Sequence, residues 1–216
     1  MLRSLRRTST CVGFSFAVAS TQLSRTNCTA AGPQYDLIVI GGGSGGLACA
    51  KRCAQYGAKV AIIEGARYGG TCVNVGCVPK KVMYNCSHVA EVIHEANNFG
   101  FNVRKPVFDW NGVKTARDAY IKRLNGIYEA GLDSSKITRI QGMASFVDAH
   151  TISVNNENIT TKHVLIATGG NPKLLGVPGE KHSIDSDGFF ELKSLPQKVA
   201  VIGAGTLLCC VVLFVH

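Results

Sequence analysis

The sequence predicts an α/β fold: a Rossmann-like βαβ unit in a parallel sheet, extended by an antiparallel β-meander. Three observations predict it. The apolar run Tyr35–Ile40 leads into Gly41-Gly42-Gly43-Ser44-Gly45-Gly46 and a helical stretch ending near Tyr56. A second apolar run, Ala58–Ile63, closes on the acid Glu64. Short apolar runs around Ile140, Phe146, Ile152 and Val164 alternate with polar turns such as Asn155-Asn156-Glu157-Asn158, as strands do. With 216 residues, 46% hydrophobic and 17% charged, the chain can bury one sizeable core, which excludes a disulfide miniprotein or a disordered tail.

Taken in order, residues 1–31 hold four Arg, no acid and ten Ser or Thr. That is the composition of an organellar transit peptide, expected to be disordered and mitochondrial, with the cytoplasm as a second location. The apolar stretch Cys11–Ala19 after a basic start leaves a secretory signal open as the rival. Residues 32–197 form the expected main domain. Within it, Cys72 to about Asn98 reads as a helix with a disturbed start and Asp109 to about Gly131 as another. The runs from Ile137 to Ala167 read as antiparallel strands followed by one buried strand, His163–Thr168. A linker with Pro172, Pro178 and Gly179 leads to a short helix near Asp187–Lys193. In residues 198–216, Lys198–Ile202 and Gly203-Ala204-Gly205 read as the first strand and turn of a second βαβ unit.

The net charge of +9 invites a nucleic-acid partner, but four of the 23 basic residues (Arg3, Arg6, Arg7, Arg25) precede Asp36, the first acid. Nineteen basic against 14 acidic residues remain, a net +5, with no basic cluster interleaved with aromatics. That pattern argues against nucleic acid and for small anionic substrates. The nine cysteines (11, 28, 49, 53, 72, 77, 86, 209, 210) contain no CxxC pair of zinc-ligand spacing. They point to a reducing compartment with no metal site, in which a closely spaced pair is catalytic.

Each part of Gly41-x-Gly43-x-x-Gly46 has a physical reason. The first glycine permits a tight turn, the second lets backbone approach a pyrophosphate, and the third lets the helix pack closely on the strand. The helix N-terminus supplies unpaired N–H groups for the phosphates. Glu64, 23 residues after Gly41, can accept hydrogen bonds from ribose hydroxyls. Together these mark a dinucleotide site. The overlapping Gly42-x-Ser44-x-Gly46 pattern of a hydrolase nucleophile elbow leaves Glu64 unexplained.

The segment Cys72-Val73-Asn74-Val75-Gly76-Cys77-Val78-Pro79-Lys80 is the most specific in the chain. Five residues of regular helix rise about 7.5 Å, whereas a disulfide needs its Cα atoms about 4.4–6.8 Å apart. The pair therefore closes only where the helix is deformed, which Gly76 and Pro79 permit. A strained bridge is more easily reduced, and Lys80 and the helix N-terminus favour the thiolate. Spacing alone leaves open two buried thiols that never pair, but the position directly after the βαβ unit puts them beside any bound flavin.

Tyr35-Asp36-Leu37-Ile38-Val39-Ile40 with its glycine loop, the cysteine segment through Val82-Met83-Tyr84-Asn85, Arg117-Asp118-Ala119-Tyr120 and Leu165-Ile166-Ala167-Thr168-Gly169-Gly170 share one likeness. They resemble the flavin domain of the pyridine nucleotide-disulfide oxidoreductases, and the likeness continues through Ser186-Asp187-Gly188-Phe189-Phe190 to Gly203-Ala204-Gly205. The resemblance implies that residues 32–197 bind FAD, and that electrons pass from NADPH through FAD to a Cys72–Cys77 disulfide and on to a disulfide substrate. It implies that Cys72 attacks the substrate, that Cys77 is the thiolate against the flavin, and that Lys80 is the cation beside the ring. The implied FAD contacts are Gly41, Gly43, Ser44, Gly45, Gly46, Glu64, Thr71, Ala144 and Thr168, joined by Cys72 and Lys80. Ser44, Lys51 and Tyr128 are the implied substrate contacts, with glutathione disulfide as the substrate and a homodimer as the family's assembly.

Ala48 and Lys51 share a helix face, so Lys51 offers a cation to an anionic tripeptide disulfide. Trypanothione-reducing members carry acidic and bulky residues there. Glutathione-reducing members more often carry Arg at the position of Lys51, and losing that bidentate fork weakens carboxylate binding. A solvated charge is the alternative for Lys51, and a thioredoxin-reducing enzyme stays open as an alternative function. Lipoamide-oxidising members typically carry Ser before the second lysine, where this chain has Lys80-Lys81.

The likeness stops at Thr206, before the apolar run Leu207–Val215 with its buried-type pair Cys209-Cys210. The 17 uncharged residues from Val199 to Val215 are at the low edge of membrane-span length, so no membrane partner is expected. The expectation is a C-terminally truncated chain that lacks most of the NADPH domain and the family's acid–base His, and is inactive alone. Its alternative is a non-catalytic isoform that binds FAD or full-length subunits.

Overall fold

Continuous apolar runs make strands buried on both faces, and two such strands lie side by side in the parallel half of a six-stranded sheet. β1 (Tyr35–Ile40) and β2 (Val60–Glu64) pair in parallel, with Leu37 opposite Val60 and Ile40 opposite Ile63, and α1 (Ser44–Gln55) is the crossover between them. Then come α2 (Gly70–Val75), α3 (Cys77–Glu95), a 3-10 turn (Ala96–Phe99), α4 (Trp110–Ser134) and β3 (Thr138–Gln141). β4 (Ala144–Asp148), β5 (Thr151–Val154), β6 (Glu157–Ile166) and α5 (Ser186–Glu191) follow. The strand order is β3-β2-β1-β6-β5-β4. The computed structural model describes residues 32–203 apart from Lys105 and Leu174. The transit-peptide reading of 1–31 and the apolar run with Cys209-Cys210 lie outside the described residues.

Two strand expectations are corrected. The run around Ile140 is not antiparallel: β3 lies parallel to β2, with Ile140 opposite Ile63. The 25-residue α4 carries the chain back across the sheet before β3 starts, and such a crossover is what parallel pairing needs. Lys198–Ile202 forms no strand either, and Ile202 is largely exposed. A strand requires a neighbour for its N–H and C=O groups, and none of the described strands takes that place.

β4, β5 and β6 do form the antiparallel meander. Its tight turn uses Asn155 and Asn156 at φ 51° and 65°, the two positive values a type I′ hairpin requires. The strand expected at His163–Thr168 is the second half of a ten-residue β6. Glu157 to Thr160 pair antiparallel with β5, and Thr161 to Ile166 run parallel to β1, so one strand joins the two halves of the sheet.

Side-chain alternation splits the core. On one face Val39, Val60 and Ile62 pack with Leu47 and Ala50 of α1 and Leu132 of α4. On the other, Ile38, Ala61 and Ile63 meet Ile152, Val154 and Ile159, which the meander folds beneath the parallel strands. A third cluster, Met83 with Phe189 and Phe190, joins α3 to α5, and Trp110 Nε1 donates to the Leu192 carbonyl at 2.9 Å.

Tyr68 sits in the first cluster with only 4% of its surface exposed, and among the described residues its hydroxyl has no hydrogen-bond partner. Burial pushes its phenol up to about 12. An unmet buried hydroxyl costs free energy, so Tyr68→Phe should stabilise the protein by about 1 kcal/mol. A urea midpoint that falls on this substitution would show that the hydroxyl has a partner.

Candidate functional site

α1 starts at a residue that brings no side chain to cap it. Gly43 is extended (φ −80°, ψ −171°), and the first turn holds no acid. The free amides of a helix start attract anions, and here Gly43, Ser44 and Gly45 line a cleft of about 800 Å³. Gly41, at φ 107°, could not carry a Cβ without striking the Ala167 carbonyl oxygen. A Cβ on Gly46 would run into the Gly41 carbonyl oxygen. The outer two glycines therefore serve backbone packing, while Gly41 and Gly43 both line the cleft and Gly43 lies against Gly70 of α2.

Glu64 lines the same cleft from the end of β2. Its Oε2 accepts from Gly42 N at 2.6 Å and its Oε1 from Ala66 N at 2.7 Å. Those amides hold the carboxylate in place, and a carboxylate has about four acceptor positions, so it can still receive hydroxyl donors.

The disturbed helix start is a break into two helices. The backbone leaves helical geometry at Gly76 (φ −144°, ψ −115°), so Cys72 belongs to α2 and Cys77 opens α3. A Cβ on Gly76 would lie 2.8 Å from the Thr71 carbonyl oxygen, which is why glycine occupies the break. Both sulfurs, with Thr71 and Lys80, line the cleft. Cys72 and Cys77 stand here as free thiols, the reduced form of the expected pair. The Cys72 thiol is raised by its hydrogen bond with Cys77 together with burial, against a smaller lowering by the Cys77 amide and the Ser44 hydroxyl.

Thr168 lines the cleft from the end of β6. Three expected contacts do not. Ala144 packs on the meander side of the sheet, and Lys51 and Tyr128 lie where α1 faces α4, with Tyr128 packed against the cluster of Leu47 and Leu132. The tertiary fold does bring the last two together, with Lys51 Nζ 6.0 Å from the Tyr128 ring centroid. Gly46, buried in the first turn of α1, is not among the residues that line the cleft.

Sequence reasoning missed the residues that hold this arrangement. Asn74, buried in α2, donates to the Gly70 carbonyl at 2.9 Å, and Asn125 of α4 donates to Asn74 Oδ1 at 3.0 Å and to the Tyr68 carbonyl at 2.7 Å. The two amides fasten the cysteine segment to α4. Ser186, Asp187 and Phe190 of α5 close the cleft on the far side. Asn74 lies inside the cysteine motif and could have been singled out there; Asn125 carried no local signal.

A βαβ glycine loop that shares one cleft with a cysteine pair defines a dinucleotide-binding disulfide oxidoreductase module. The chain belongs to the pyridine nucleotide-disulphide oxidoreductase family, whose sequence profile matches residues 35–208. Among curated proteins it is similar to the glutathione reductase of Yarrowia lipolytica, 49% identical over 187 residues that cover 80% of this chain and 40% of that protein. It is likewise similar to the glutathione reductase of Schizosaccharomyces pombe, 49% identical over 180 residues, 79% of this chain and 39% of that protein. The chain thus spans about two fifths of the length of these relatives.

Membership implies FAD as cofactor, and the residues present fit it. Uncapped amides at the start of α1 suit a pyrophosphate, Glu64 keeps acceptor capacity for a ribose, and the thiols and Lys80 line the same cleft.

Proposed function

We propose that the chain is the disulfide-bearing flavin module of an NADPH-dependent glutathione reductase. The observation that carries this reading is the single cleft joining the start of α1, Glu64 and the pair Cys72 and Cys77. The names of the two yeast relatives support glutathione disulfide as substrate. Bound FAD would supply the two-electron relay between NADPH and the cysteine pair.

The chain's own groups then have distinct tasks. The first-turn amides of α1 hold the pyrophosphate and Glu64 the ribose, aided by Thr71 and Thr168. Lys80, one turn after Cys77 on α3, would place positive charge beside the bound flavin ring. Cys72 attacks one sulfur of the substrate, and the first glutathione leaves as its thiol. Cys77 then displaces the second from Cys72, forming the intramolecular disulfide that reduction reopens. Ser44 donates to the Cys72 sulfur, which favours its thiolate when the Cys77 hydrogen bond is lost. Lys51 and Tyr128 present a cation and a ring to the carboxylates and backbone of the tripeptide. The whole protein would act as a homodimer. The composition of residues 1–31 supports delivery to mitochondria, which a fluorescent protein fused behind those residues would report.

Anaerobic titration of the FAD-loaded chain tests the central claim. The chain should take up twice as many reducing equivalents per flavin as its Cys77→Ser variant, because only the former holds a reducible bridge. Equal uptake, or a folded chain that retains no flavin, would overturn the reading.

A further inference from the structure

α1 carries a second pair of thiols that the proposed function does not use. Cys49 and Cys53 are one helical turn apart, both partly buried, with their sulfurs 4.0 Å from each other in a hydrogen bond. The contrast with Cys72 and Cys77 is geometric. That pair straddles the break at Gly76, whereas Cys49 and Cys53 stand on the unbroken helix Ser44–Gln55. Residues four apart on a regular helix keep their Cβ atoms about 5–6 Å apart, and a disulfide needs about 3.5–4.5 Å. A direct sulfur–sulfur bond would tear the helix that presents the glycine loop. One atom inserted between the sulfurs would not.

We propose that Cys49 and Cys53 form a chelating site for a soft, thiophilic centre that accepts two sulfur donors, of the kind found in a monosubstituted trivalent arsenical. The donor set argues for this class. Sulfur ligands select soft acceptors, and among the described residues no group of three or more Cys, His, Asp or Glu could hold a metal ion, so a four-coordinate zinc is not provided for. A trivalent arsenic bearing one organic group needs just two more bonds. With phenylarsine oxide, two arsenic–sulfur bonds form and the arsenic–oxygen bond breaks. The oxygen leaves with both thiol protons as one water, and arsenic stays trivalent, so no electrons are transferred. Burial and the hydrogen bond to Cys53 hold the Cys49 thiol up in its protonated form, which makes Cys49 a poor nucleophile toward ordinary oxidants.

The experiment treats the full-length chain with phenylarsine oxide, alkylates the remaining thiols and maps the peptides. A Cys72→Ser, Cys209→Ser, Cys210→Ser background removes the other closely spaced pairs. Both α1 cysteines should resist alkylation together and become reactive again when an excess of a small dithiol strips the arsenic away. Adding Cys49→Ser or Cys53→Ser should weaken the adduct by about 100-fold or more, because the second bond is then no longer intramolecular. Circular dichroism confirms that each variant is folded. Alkylation of either α1 cysteine at the untreated rate, or an adduct on Cys53 that survives Cys49→Ser undiminished, would overturn the proposal. The result is independent of the Cys72–Cys77 redox chemistry, since the background already lacks Cys72.

Discussion

A Gly46→Ala protein should lose about 3 kcal/mol of stability or more and with it all flavin binding. The new methyl group would meet the carbonyl oxygen of Gly41 and come 3.1 Å from Val39 Cγ1. Backbone on one side and a buried strand side chain on the other leave nothing flexible to move, so α1 must lift from β1, and overpacking of this sort costs at the upper end of its range. Gly45→Ala is the control, one residue away. An added Cβ there meets nothing within 4 Å, and alanine is the better helix former. That variant should melt no lower than the parent, yet bind flavin more weakly because Gly45 lines the cleft. Urea midpoints and flavin fluorescence separate the outcomes. A Gly46→Ala protein as stable as Gly45→Ala would mean that the helix can rise without loss.

Arg117→Leu should cost about 3–5 kcal/mol. Only 2% of Arg117 is exposed, and it ties three helices together. Its Nη2 donates to the Phe190 carbonyl at 2.6 Å, its Nη1 approaches Met83 Sδ at 3.3 Å, and its Nε and Nη2 both reach Asp118 Oδ1. Its guanidinium also lies 5.6 Å from the Phe190 ring centroid. Leucine would leave the Phe190 carbonyl buried without a donor and free α5, which forms one wall of the cleft. Asp118→Asn should cost no more than about 1 kcal/mol, because that carboxylate is nearly half exposed. Burial alone would raise the Asp118 carboxyl, but hydrogen bonds from Lys114 and Arg117 outweigh it and hold it below the usual carboxylate range. Hydrogen exchange in α5 should rise for Arg117→Leu and stay unchanged for Asp118→Asn. Equal, small losses for both would reduce Arg117 to a surface ion pair.

Arg117 also marks how far the sequence could be read. Its stretch was recognisable as a motif, yet nothing in Arg117-Asp118-Ala119-Tyr120 says that the guanidinium is buried against residues 34 and 73 positions away. The glycine loop, Glu64 and the cysteine pair were legible because each rests on short-range constraints: turn geometry, helix starts, and a spacing that a regular helix cannot bridge. Ala144 was expected in the cleft and packs elsewhere, since a strand position carries no mark of which face its neighbours will cover.

From residue order alone came the βαβ unit, the cleft-lining glycines and the break between Cys72 and Cys77, because periodicity and backbone preference act over a few residues. Only the folded chain decided that β3 runs parallel to β2, that Asn125 clamps Asn74, that Lys51 meets Tyr128, and that α5 closes the cleft. Those pairings join segments tens of residues apart. Their energies come from packing and from satisfying buried polar groups, and neither leaves a local pattern to read.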